Sequence, residues 1–157
     1  MRLVFAMAAL SFTFVTQLSA ECGNFCDKEW LKTATAADWQ AELTAGTDVN
    51  ARNSFGSTPI VGAIYLNGCD PSVVQLLLKS GASVKSRDHN GDSVLHNAGL
   101  CTKETFIELI NSGADVNAKN KFEETVFGRN FKNLALYGTT YQPPIDHNEK
   151  AQILVEM

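Results

Sequence analysis

The sequence predicts an all-α solenoid of stacked helix pairs with projecting β-hairpin turns. Three observations predict it. A Gly followed three residues later by Val recurs as Gly46-Thr47-Asp48-Val49-Asn50, Gly81-Ala82-Ser83-Val84-Lys85 and Gly113-Ala114-Asp115-Val116-Asn117, at spacings of 35 and 32 residues. After each Val comes a cluster of turn-forming residues, and straight after that a helix-start signal. A period near 33 marks a stack of supersecondary units, none of which can bury its apolar face alone.

Residues 1–20 read as a secretory signal peptide outside the fold. Arg2 gives a cationic start, Leu3 to Val15 is almost wholly apolar, and Gln17-Leu18-Ser19-Ala20 offers a cleavage region. A lipid-anchor reading fails because Glu21 stands between Ala20 and Cys22. Residues 21–141 form the repeat domain, beginning with a cap unit at 21–52. Asp27 to Thr33 is a short helix carrying Trp30 and Leu31, and Thr35 caps a second with Trp39 and Leu43 before Gly46.

The first full repeat, 53–87, opens on the turn Asn53-Ser54-Phe55-Gly56 and starts a helix at Thr58-Pro59. Asp70-Pro71 starts its second helix, where Val73, Val74, Leu76, Leu77 and Leu78 make an apolar stripe before Lys79 and Gly81. Repeat 88–119 repeats the plan with Asp88-His89-Asn90-Gly91, Ser93, and a helix capped by Thr102 that carries Phe106, Ile107, Leu109 and Ile110. The unit 120–141 is degenerate. Its turn is Asn120-Lys121-Phe122-Glu123, with Glu123 where Gly belongs, so a loosened hairpin is expected; Phe131, Leu134, Leu136 and Tyr137 give a weak second helix. Pro143-Pro144 breaks the tail, 142–157.

Charge excludes some partners. The chain carries a formal charge of -4, and loss of the leader with Arg2 leaves -5. An acidic chain without a clustered basic stretch argues against nucleic acid, and there is no polybasic run for anionic lipid. The four cysteines, Cys22, Cys26, Cys69 and Cys101, follow the leader, and an even count in an oxidising compartment reads as two disulfides. Three pairings are open. Cys22–Cys26 with Cys69–Cys101 is favoured, because the latter pair closes the first helices of adjacent repeats. The competing zinc site lacks a His at ligand spacing.

Taken together, these residues resemble the ankyrin-repeat pattern D-x-x-G-x-T-P-L-H-x-A followed by G-A-D-V-N-A. Gly56-Ser57-Thr58-Pro59-Ile60-Val61-Gly62-Ala63 matches with Val61 in place of His; Gly91 to Ala98 keeps His96 but lacks Thr-Pro; Gly113 to Ala118 is complete. The third copy has Phe127-Gly128 where Leu-His would stand. The exported start, Cys-rich cap and short array resemble small secreted or periplasmic bacterial ankyrin-repeat proteins. The resemblance implies a protein partner held on hairpin tips and first helices: Ser54, Phe55, Ser57 and Tyr65, then His89, Asn90, Asp92 and Asn97, then Lys121, Phe122, Glu124 and Arg129. Phe55 and Phe122 stand out, since aromatic side chains at turn tips are enriched in binding hot spots; the alternative is that each folds back on its own hairpin. The resemblance also makes His96 a structural tie between turns.

No enzymatic chemistry is legible. Asp88-His89-Asn90-Gly91-Asp92 begins like a calcium loop, but Ser93 and Gly99 stand where Gly and a bidentate Glu are required. There is no nucleophile–base pattern and no Gly-rich phosphate loop. His89 is a solvated tip residue and His147 lies in the tail. The expectation is therefore a monomeric, exported protein-binding module without catalysis, metal, cofactor or membrane contact. The alternative is a periplasmic inhibitor or immunity-type protein that neutralises a toxin or enzyme.

Overall fold

A computed structural model describes residues 22–130 of the chain. The leader, the apolar set Phe131, Leu134, Leu136 and Tyr137, His147 and the tail lie outside the described residues. Six α-helices follow in order: α1 Lys28–Thr33, α2 Ala36–Thr44, α3 Pro59–Tyr65, α4 Pro71–Lys79, α5 Val94–Asn97 and α6 Lys103–Asn111. A 3-10 turn, Gly23–Cys26, precedes α1, another, Ala98–Leu100, prolongs α5, and a further helical segment occupies 126–130.

The helix starts sit where the capping residues place them. The Asp27 carboxylate accepts from the amides of Glu29 and Trp30, and Asp70 from Ser72. Thr102 accepts from the Thr105 amide. Thr35 and Asp38 close a reciprocal capping box. The Thr35 hydroxyl, then its amide, hold the Asp38 carboxyl below its ordinary range. Pro59 and Pro71 occupy first-turn positions, where a missing donor costs nothing.

Helix α3 is the hub, packing against α4, α5 and α1, while α2 packs on α4. The stripe residues Ile60, Ile64, Val73, Val74, Leu77, Leu95, Phe106 and Leu109 are fully enclosed. Each such side chain contributes about 1.5–3 kcal/mol by leaving water. The cap closes one end with an aromatic cluster. Phe25 stacks on Trp39 at 5.0 Å between ring centroids, and Trp30 lies 5.1 Å from Trp39. The Glu42 carboxylate ties the 3-10 turn to this cluster, accepting from the Asn24 amide, the Asn24 side chain and the Thr47 hydroxyl. Gly23 is required there: its φ is +47° and a Cβ would run into that carboxylate.

Both disulfides pair as favoured, Cys22–Cys26 and Cys69–Cys101. The second joins adjacent repeats through half-cystines that are both buried. The Asn67 amide fastens the preceding loop to the Leu31 and Ala34 carbonyls.

Each hairpin is built on one Asx device. The side-chain oxygens of Asn53, Asp88 and Asn120 each accept from the amides two and four residues on, at 2.8–3.0 Å. The expectation of a loosened third hairpin is corrected. Glu123 adopts φ +58°, close to Gly56 at +76° and Gly91 at +79°. Its amide still closes the turn on the Asn120 carbonyl at 3.2 Å. The geometry survives because the Asn120 side chain and the Lys119–Thr125 bridge over-determine it.

Candidate functional site

The hairpins are bonded into a continuous row. The His89 amide donates to the Phe55 carbonyl and the Lys121 amide to the Asn90 carbonyl, both at 2.9 Å. Two arginines staple this row from below. Arg52 donates to the Gly56 and Arg87 carbonyls, and Arg87 to those of Gly91 and Lys119. Sequence reasoning missed them, although Arg52, Arg87 and Lys119 share one repeat position and that periodicity was the available signal.

His96 performs the tie implied for it. Fully buried, its Nδ1 accepts from the Ser93 amide at 3.1 Å, so Nε2 carries the hydrogen and donates to the Glu124 carbonyl at 3.1 Å. In the first repeat Val61 replaces that ring, and the buried Thr58 hydroxyl is left without a partner. A polar network joins the second and third hairpins. The Asn120 amide donates to Asp92 and Glu124, and Arg129 pairs with the same two carboxylates at 3.3 and 3.0 Å.

This scaffold leaves an open groove of about 350 Å³ between the hairpins, the first helices and the cap. Its walls bring together eight of the twelve predicted contact residues: Ser54, Phe55, Ser57, Tyr65, Asn90, Asp92, Asn97 and Arg129. Phe25, Lys28, Leu31 and Val61 complete the near end. His89, Lys121, Phe122 and Glu124 do not line it. The His89 ring lies against Gly56, where a Cβ would come within 2.6 Å of it. Phe55 is 72% exposed, Phe122 65% and Tyr65 53%, so neither tip aromatic is folded back on its hairpin.

Asp92 is corrected. At 2% exposure, with its carboxylate bonded to Asn120 and Arg129, it braces the hairpins and offers almost no surface to a partner. Phe127, 47% exposed, is a surface aromatic that sequence reasoning passed over. It stands at the repeat position that holds the enclosed Ile60 and Leu95 in the inner units. Among the described residues no group of His, Cys, Asp and Glu is placed to hold a metal ion, and no helix is long and apolar enough to cross a membrane.

Residues 32–120, more than half of the chain, match the family model of ankyrin repeats in three copies. An 86-residue stretch, 54% of the chain, is 31% identical to the Ankyrin repeat protein OPG189 of Variola virus, of which it covers 15%. An 85-residue stretch, 53% of the chain, is 35% identical to the B-cell lymphoma 3 protein homolog of Mus musculus, covering 18% of it. The chain thus spans less than a fifth of either relative. Ankyrin repeats generally mediate protein–protein interaction and typically carry no catalysis. By its three repeats, its hairpin row and this match, the chain belongs to the ankyrin-repeat family.

Proposed function

We propose that the protein is an exported binding module that recognises a partner protein on its hairpin-tip and first-helix face, without catalysis. The observation that carries the reading is the groove walled by Phe55 and Tyr65, two large side chains left exposed above a row of hydrogen-bonded hairpins. Packed tips lose little freedom on binding, so more of the contact energy appears as affinity. Aromatic residues on such a surface are the usual anchors. Export fits the apolar leader and the two disulfides, which persist in an oxidising compartment.

Alanine at Phe55, Tyr65 and Phe122 together is expected to abolish capture of the partner from the native envelope while helical circular dichroism stays unchanged. Undiminished capture by the folded triple variant would remove this face from consideration.

A further inference from the structure

We infer that the first hairpin holds an unfilled place for a tight turn of the partner, centred on the Ser54 N–H. This deepens the protein-binding reading and rests on it. The hairpins join through one repeated bond, in which the second residue of a turn donates its amide to the carbonyl of the third residue of the turn before it. His89 and Lys121 do so to Phe55 and Asn90. Ser54 holds the same position in the first turn, and its N–H meets no acceptor among the described residues. The reason is architectural: among the described residues the preceding unit, α1 and α2, has no hairpin of its own.

The groove borders this first hairpin: Ser54 and Phe55 line it together with Phe25, Lys28 and Leu31 of the cap, and it runs on to Asn90 and Arg129 of the later units. The row of tips therefore stops with an open donor and a 72% exposed aromatic ring beside a cavity. What continues such a row is what already builds it, an uncharged turn carbonyl with the flanking chain laid along Phe55. At the other end of the row the Phe122 carbonyl meets no donor among the described residues, but Phe122 does not border the groove.

The probe is a disulfide-closed cyclic peptide carrying the protein's own second turn, Arg87 to Ser93, titrated into the whole isotopically labelled protein. The Ser54, Phe55 and Tyr65 amides are expected to move saturably. Ser54→Pro suits this test because proline is favoured at the second position of such a turn and removes the N–H; the Asn53 side-chain bonds to the Phe55 and Ser57 amides report whether the turn is kept. The substitution is expected to weaken the peptide by ~5-fold, the worth of one backbone hydrogen bond. Ser54→Ala, which loses the hydroxyl but keeps the N–H, is expected to retain the tighter binding that Ser54→Pro loses. No saturable shift, shifts centred on Phe122, or equal affinity for a folded Ser54→Pro variant would each overturn the inference. Loss of partner capture in the triple-alanine variant alongside any of these results would leave the protein-binding reading standing and remove only the turn.

Discussion

Glu123 holds φ +58° where the first two hairpins use Gly. A left-handed L-residue costs about 1–2 kcal/mol, and the exposed Lys119–Glu123 pair at 3.1 Å returns only a few tenths. Glu123→Gly is therefore expected to stabilise the protein by about 1 kcal/mol, read as a higher urea midpoint at unchanged slope; an unmoved midpoint would show that the turn is unstrained. Thr58 poses the opposite case, a buried hydroxyl orphaned because Val61 stands where His96 stands one repeat later. Val61→His is expected to gain about 1 kcal/mol by accepting from that hydroxyl. The gain should vanish in a Thr58→Val background, and a double-mutant cycle checks it.

At the scale of elements, the second and third hairpins depend on Arg129. Removing it leaves the enclosed Asp92 carboxylate with Asn120 alone, so Arg129→Ala is expected to cost about 2 kcal/mol. Arg129→Lys should recover little, since an ammonium has a single nitrogen where the guanidinium sets two, one on Asp92 and one on Glu124; full recovery in chemical denaturation would contradict the forked geometry. The cap is expected to weaken in acid. Burial pushes the Glu42 carboxyl up, but the Asn24 amide, the Thr47 hydroxyl and the Asn24 side chain outweigh it and hold it below its ordinary value. The unfolded chain then binds the proton more readily. The stabilisation is complete above the unfolded-state pKa and fades as pH falls through the folded-state value. Glu42→Gln should accordingly be less stable than the parent at neutral pH, with the difference closing below the carboxylate range. A constant difference across that range would assign the effect to packing.

Over the whole molecule, stability is a sum of units and the interfaces between them. The Cys69–Cys101 bridge closes a loop of 32 residues across one such interface. On the chain-entropy model its loss, by alanine at both positions, costs about 3–4 kcal/mol, against about 2 for the short Cys22–Cys26 loop. Denaturation of the two double variants checks the order. The proposed binding face depends on the same coupling, because tips held by neighbours are what make a rigid surface.

What was legible in the chain is what repeats locally. Caps, first-turn prolines, turn residues and apolar stripes act within four or five residues, so Asp27, Thr35, Pro59, Pro71 and Thr102 could be placed without coordinates. The period then implied stacking, and stacking favoured one of the three cysteine pairings without deciding it. What only the tertiary structure decided is the fate of side chains that look outward in one unit and are claimed by the next. Asp92 reads as a surface acid and is buried by Asn120 and Arg129, from 28 and 37 residues away. Arg52 carries no local cue and bonds the following hairpin. Phe127 stands at the repeat position of the enclosed Ile60 and Leu95 and lies half exposed. Periodicity sets where each unit begins, but burial belongs to the contact between units, and that contact exists only once the chain is stacked.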